Sequence, residues 1–182
     1  MRIISGTGRG RKLRELPGLD TRPTTDRVKE SIFNIIQFDI EGRRILDLFG
    51  GTGQMGIEAL SRGAAAAVFC DTSAEPVGII RENLAVTGYA PLCEVYQRDA
   101  IAYLMGKPGK FDVVFLDPPY ASDLLESALN AIALIDIVSE NGIIVCESSL
   151  ESVLPQLPAP YEMGKQYRYG KIKVTLYRRV AQ

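Results

Sequence analysis

The chain of 182 residues contains no histidine. That absence removes every Ser-His and Cys-His catalytic arrangement and every imidazole-ligated metal site. Its three cysteines, Cys70, Cys93 and Cys146, are odd in number and lack metal-type spacing. Each sits in or beside an apolar run, which reads as buried reduced thiols and a cytoplasmic protein. No stretch approaches the roughly 18 apolar residues of a membrane span, and the N-terminus lacks the apolar core of a signal peptide. Internal repeats, low-complexity tracts and long linkers are also missing. The length suits one domain with a full core.

Acidic residues are scarce at both ends. Residues 1–30 carry eight Lys/Arg against four Asp/Glu, and residues 161–182 carry six against one, while the middle carries seven against seventeen. Net charges are thus +4, −10 and +5 along the chain. Arg2, Arg9, Arg11, Lys12 and Arg14 fall within the first fourteen residues with no acid among them. Basic ends on an acidic body point to a polyanion contact at one part of the surface, or to a solvated basic tail.

"RIISGTGRGRKLREL" reads as two short strands around a Gly-rich turn, a basic hairpin-like arm over residues 1–20. "RPTTDRVKESIFNIIQF" has Pro23 to stop what precedes it and then Val28, Ile32, Ile35 and Ile36 at helical spacing. From Arg44 the chain alternates strand and helix: "RILDLF", "GQMGIEALSRG", "AAAAVFC", "TSAEPVGIIRENLAVTG", "CEVYQ", "FDVVFL", "ASDLLESALNAIALI" and "NGIIVCES". The helix "TSAEPVGIIRENLAVTG" is expected to open on a capping box, Thr72-x-x-Glu75. Continuous apolar strands alternating with helices predict an α/β fold, a parallel sheet covered on both faces. The last segment, "YEMGKQYRYGKIKVTLYRR", instead predicts an antiparallel hairpin around Tyr169-Gly170.

"LDLFGGTGQMGIEAL" places Gly51, Gly53 and Gly56 between the first strand of this series and its helix. Formally this is G-x-G-x-x-G, with Asp71 twenty positions after Gly51 at the end of the next strand. The pattern is that of an adenosine-ligand loop, in which glycines admit the ligand and the acid takes ribose hydroxyls. A pyrophosphate would be served by the helix N-terminus. Here Asp47 and Phe49 lead into the glycines, and a carboxylate at that strand end suits a positive ligand. S-adenosylmethionine carries a sulfonium and an ammonium and no phosphate, so charge favours it as the cofactor over a nicotinamide dinucleotide. Asp99, after the third strand, is placed to accept from an adenine amine.

The fourth strand ends on Asp117-Pro118-Pro119-Tyr120. Neither proline can donate a ladder hydrogen bond, so the strand stops there. In an open α/β sheet, ligands bind beyond the carboxyl ends of the strands. A nucleobase amine is a poor nucleophile because its lone pair is delocalised into the ring. The Asp117 carboxylate and the Pro118 carbonyl supply two acceptors for its N–H groups, Pro119 stiffens them, and Tyr120 offers a face for an extruded base. Methyl transfer then needs mainly alignment, with no metal.

"DLFGGTGQMGIEALSRGA" with "DPPY" resembles the class I S-adenosylmethionine-dependent methyltransferases of exocyclic amines. With "GRGRKL" and "RPTTDRVKESIFN" the chain resembles the RsmD family, bacterial 16S ribosomal RNA guanine-N2 methyltransferases, from Arg2 to about Arg179. The resemblance implies a Rossmann-like, mostly parallel seven-stranded sheet with an antiparallel last strand and a small N-terminal β-hairpin extension, the methyltransferase domain spanning 21–182. It implies that the Asp47–Gly53 loop (Asp47, Phe49, Gly51, Thr52, Gly53) holds the methionine part of the cofactor. It further implies that Asp71 and Thr72 lie at the ribose, Asp99 and Ala100 at the adenine, and Asp117, Pro118, Pro119 and Tyr120 at the target guanine. Arg9, Arg11, Lys12, Arg22, Thr24 and Arg27 are implied as RNA contacts; Arg22 and Arg27 equally suit the cofactor carboxylate, or ion pairs with Asp26 or Glu30. Asp71 stands where the family often has Glu, and Gly51 and Thr52 where Ala and Ser are common. The implied substrate is one guanine, position 966, of small-subunit RNA in the subunit or an assembly intermediate. A monomer is expected. Three other readings stay open on the residues: a DNA adenine-N6 methyltransferase, a nicotinamide-dependent oxidoreductase, and a cofactor-binding module without catalysis. The short chain argues against the first, and the intact Asp117–Tyr120 set argues against the last.

Overall fold

A computed structural model describes residues 1–16, 25–119 and 122–181. Seven strands form one sheet: β1 (Arg44–Asp47), β2 (Ala66–Asp71), β3 (Cys93–Gln97), β4 (Phe111–Leu116), β5 (Val138–Ser149), β6 (Tyr161–Tyr169) and β7 (Ile172–Arg179). Their spatial order is β3-β2-β1-β4-β5-β7-β6. β1 to β5 pair in parallel, whereas β7 runs antiparallel to both β5 and β6. This is the expected mostly parallel sheet with one antiparallel strand, the last. The chain order reverses at β1, where β2 lies on one side and β4 on the other.

Among the described residues five α-helices cover the sheet: α1 (Asp26–Ile35), α2 (Gln54–Ser61), α3 (Ala74–Thr87), α4 (Ala100–Met105) and α5 (Leu124–Ile135). Side chains alternate across a strand, and β4 shows the consequence. Val113 and Phe115 join the core under α1, α2 and α3, with Phe33 and Ile57. Val114 and Leu116 join the core under α4 and α5, with Leu104 and Leu129. Because both faces are covered, β4 reads as an unbroken apolar run. No helix of the described residues is long and apolar enough to cross a membrane.

The N-terminal arm pairs more loosely than a two-stranded hairpin. A single antiparallel bridge, Arg2 with Lys12, is supported by Ile3 N–H to Arg11 O (3.0 Å) and Leu13 N–H to Met1 O (3.1 Å). Ile3 and Leu13 are buried in the α1–α3 core, which ties the arm to the body. The expected boundary near residue 20 lies outside the described residues.

Two local expectations are altered. β1 ends at Asp47 rather than Phe49, because the Asp47 carboxylate accepts from Gly56 N–H at 3.1 Å and the chain turns into the glycine loop. α3 has Ser73 at its N-cap with no side-chain cap, so the Thr72-x-x-Glu75 box does not form. Asp71 Oδ1 accepts from Ser73 N–H instead, at 3.0 Å.

Candidate active site

Parallel strands place their carboxyl ends on one edge. Asp47 ends β1, Asp71 ends β2, and Asp99 and Asp117 follow β3 and β4, so four carboxylates line the same edge. α1 leads through residues 36–43 to the start of β1, so its N-terminus, with Thr25, Asp26 and Arg27, lies toward that edge too. Thr25 Oγ1 caps this helix by accepting from Val28 N–H at 3.3 Å.

The glycine loop is fastened before any ligand arrives. Gly50 N–H donates to Cys70 O (2.8 Å) and Gly53 N–H to Gly50 O (2.6 Å). Gly53 holds φ 77° at the start of α2, a left-handed conformation that glycine adopts without penalty. A Cβ on Gly56 would stand 2.3 Å from the Phe69 ring. That contact is the third glycine's task in such loops, letting the helix lie close on the neighbouring strand. Asp71 Oδ2 accepts from Gly51 N–H at 3.0 Å. Together with its bond to Ser73 N–H, this clamps the loop to the β2 end.

Asp47 is only 4 % exposed. Burial pushes its carboxyl up to about 7; the Gly56 N–H lowers it, and the negative Asp71 nearby raises it further. The N-terminus of α2, where a pyrophosphate would dock, is therefore occupied by a buried carboxylate. Beside it, Gln54 Oε1 on the first turn of α2 is buried with no hydrogen-bond partner. A buried acceptor without a donor costs on the order of 1–3 kcal/mol. The side of Gly51 away from its neighbours is open, with nothing nearer than Phe49 O at 4.0 Å from an added Cβ. Acceptors and open space fit an ammonium and a sulfonium, and they do not fit a diphosphate. The residues present suit S-adenosylmethionine.

The remaining candidates divide into reachable and structural. Phe49 is half-buried against the α4–α5 core. Thr72 is exposed, and Asp99 is exposed while its Oδ1 caps α4 by accepting from Ala102 N–H (2.9 Å), with Ala100 buried behind it. Asp117 is half-buried, Pro118 buried and Pro119 exposed. Pro119 O accepts from Ser122 Oγ at 2.7 Å, closing the turn after β4. Arg9 and Lys12 are exposed, and Arg27 stands exposed on the first turn of α1. Arg11 is committed to the fold: its Nη1 donates to Thr87 O at 2.7 Å, at the carbonyl end of α3 where a cation is favoured. Asp26 pairs with Arg2 (3.1 Å). Arg22, Thr24 and Tyr120 lie outside the described residues.

Three buried polar residues were missed by sequence reading. Glu58 and Lys29 are fully buried, Nζ to Oε2 3.7 Å. Glu58 accepts from Ile4 N–H (2.8 Å), Ser5 N–H (3.0 Å) and Arg62 Nε (2.8 Å), while Lys29 Nζ donates to Arg2 O (2.6 Å). Burial lowers the Lys29 pKa, opposed by the charge of Glu58. Asn83 accepts from Arg14 N–H (2.7 Å) and donates to Arg14 O (3.1 Å) and Thr52 O (3.0 Å), joining the arm to the glycine loop. The signal was present: Lys29 lies at helical spacing with Ile32, Phe33 and Ile36, and Asn83 with Ile79 and Ile80. A polar residue on an apolar stripe is a buried polar residue awaiting its partners.

Fold and site together define a class I S-adenosylmethionine-dependent methyltransferase. An RNA methyltransferase from Salinibacter ruber shares the fold at TM-score 0.65 and 18% identity, covering 88% of this chain and 95% of that one. More specifically, the family model described as "Conserved hypothetical protein 95" matches residues 1–178. Ribosomal RNA small subunit methyltransferase D of Escherichia coli K12 is 38% identical over 184 residues, covering 100% of this chain and 91% of that protein. The Bacillus subtilis protein YlbH is 39% identical over 182 residues, with 98% and 99% covered. The solved structure of Escherichia coli yhhF superposes at TM-score 0.91 with 35% identity, over 100% and 99% of the two chains. The chain belongs to this family, the RsmD family.

Proposed function

We propose that the protein transfers a methyl group from S-adenosylmethionine to the exocyclic N2 amine of one guanine in 16S ribosomal RNA, within the small subunit or its assembly intermediate, in the cytoplasm. The observation that carries this reading is the adjacency of β4 to β1. Asp47 is in register with Phe115, and Leu48 N–H donates to Phe115 O at 3.2 Å. Asp117 therefore leaves the sheet one strand, about 5 Å, from the loop that suits the cofactor.

When bound, the cofactor supplies a methyl group activated by a sulfonium. The chain's own residues do the rest by position. Asp47 and Gln54 face the cationic methionine portion, Asp71 and Thr72 the ribose, and Asp99 with Ala100 the adenine. Asp117 and the Pro118 carbonyl accept the two N–H bonds of the amine and turn its lone pair toward the methyl. Pro119 holds that turn, and Tyr120 stacks on the base. Alignment of this kind accounts for a large part of a transfer barrier. Arg9, Lys12, Arg22, Thr24 and Arg27 serve the RNA; the relatives' names, which specify small-subunit ribosomal RNA, support that substrate.

The test supplies purified protein and methyl-labelled S-adenosylmethionine to small ribosomal subunits lacking the modification. The expected product is N2-methylguanosine at one position after nuclease digestion. Label in DNA adenine, or none in ribosomal RNA, overturns the reading. Asp117→Ala should lower the transfer rate by roughly 10²-fold or more with cofactor affinity nearly unchanged. A parallel fall in both would make Asp117 a cofactor residue.

A further inference from the structure

Residues 163–182 contain six cations and no acid. Three of the six are held by the fold. Arg178 reaches Asp39 (3.3 Å) and Asn141 O (2.9 Å), and Arg179 takes Asp136 with two bonds of 2.8 and 3.0 Å. Lys173 is buried, with its Nζ on Ser152 O. The other three, Lys165, Arg168 and Lys171, are exposed and have no ion pair among the described residues.

These three share one half of the β6–β7 hairpin, the half that ends at its turn. The register shows where that turn lies. Leu116 pairs with Cys146, and three residues further along β5 Ser149 pairs with Ile172, the first residue of β7. The hairpin turn, Gly170-Lys171, therefore stands at the carboxyl edge of the sheet, the edge from which Asp117 departs. At a strand spacing of about 4.8 Å, β7 and β6 lie roughly 10 and 15 Å from β4. Tyr167 and Tyr169 alternate with the cations, and Lys165 Nζ stands 5.2 Å from the Tyr167 ring.

Lysines on an edge strand also discourage edge-to-edge pairing. That role does not explain why Arg178 and Arg179, far from the site, are paired with carboxylates while Lys165, Arg168 and Lys171 are not. Nor does it call for an arginine and a turn lysine beyond the strand's middle. Grouped like charges without counter-ions, interleaved with aromatics, are the footprint of a phosphate backbone.

We propose that the turn-proximal half of the β6–β7 hairpin binds ribosomal RNA phosphates flanking the target nucleotide, with Lys165, Arg168 and Lys171 as the contacts. This rests on the proposed RNA substrate. Contacts of this kind orient the strand across the site and carry no base information.

The test is the triple variant K165Q/R168Q/K171Q, with binding to unmodified small ribosomal subunits measured between about 50 and 200 mM salt. Each lost phosphate contact should flatten the slope of log affinity against log salt by about 0.7–0.9, so the triple variant should lose about 2–3 from it. Affinity at the low-salt end should fall tenfold or more, with unchanged melting temperature and unchanged binding of S-adenosylhomocysteine. Lys107→Gln, on the loop leading into β4 at the opposite edge, should leave the slope alone. An unchanged slope overturns the proposal, and so does weaker binding at constant slope, which marks a ribosomal protein as the partner. If the unaltered protein neither binds the particle nor labels its RNA, the proposed substrate fails first and this contact falls with it.

Discussion

In the N-terminal arm, Arg2, Arg11 and Arg14 all end on partners within the chain, and the backbone of Ile4 and Ser5 hangs on the buried Glu58. In the turn-proximal half of the C-terminal hairpin, Lys165, Arg168 and Lys171 end in solvent. The two segments look alike in the sequence, short β-type runs rich in cations and glycine. Their difference lies in the surface each one meets. The arm lies on α2 and α3, which offer Glu58, Glu82 and the last carbonyls of α3. The hairpin's outer strand is the sheet's edge, and among the described residues no carboxylate pairs with its cations. Local charge density thus says little about whether a cation is structural; the acceptors within reach decide.

The comparison can be broken first at Glu58. Glu58→Gln leaves Lys29 buried without its counter-charge and should cost about 3–5 kcal/mol, read by urea unfolding. A loss below about 1 kcal/mol would mean that the arm is not held by this pair. Asn83→Ala removes three hydrogen bonds and should cost about 1–3 kcal/mol. Because Asn83 holds Thr52 O, the same variant should weaken cofactor binding several-fold by calorimetry. Loss of stability with intact cofactor affinity would uncouple arm and loop.

The hairpin's far end supplies the next test. Arg179, then Lys110 and Tyr161, hold the Asp136 carboxyl well below its ordinary 3.8. A depressed carboxylate adds stability that is present above the ordinary value and lost as pH falls below it. Asp136 is 37 % exposed, so solvent screening limits the effect. Asp136→Asn should cost about 1 kcal/mol near neutral pH, and the melting temperatures of variant and parent should converge in acid. Arg14→Ala comes last. Its exposed pair with Glu82 should contribute about 0–1 kcal/mol, because the arm's attachment at Arg14 runs through its backbone and Asn83. A larger loss would give the side chain a part in the anchoring.

The sheet was legible because its strands announce themselves. β4 is an apolar run stopped by two prolines, and the last two runs straddle Tyr169-Gly170. The glycine loop was legible for the same kind of reason, since a tight approach leaves glycines in the sequence. The Thr72 cap was misread because the helix starts one residue later, with Ser73 at the N-cap, and spacing alone does not fix that start. Arg11 reads as an RNA contact until α3 is seen ending against it, 76 residues later in the chain. Glu58, Lys29 and Asn83 satisfy one another's neighbours across 27 to 69 residues, and no local pattern records such partners.

Asp47 gives the protein a proton to trade. A carboxyl raised to about 7 adds stability below the ordinary carboxylate range, and that stability is lost as pH rises through about 7. A cation seated beside Asp47 favours the ionised form, so binding below that pH expels the proton. Affinity for the positively charged cofactor should therefore climb with pH until the carboxyl is already ionised. Its demethylated product, which keeps the ammonium but has lost the sulfonium, should climb less. Calorimetry in two buffers of different ionisation heat would count the proton directly. After transfer the sulfonium charge is gone and one of two positive charges remains, so on the proposed site Asp47 would hold the charged cofactor more tightly than the spent one.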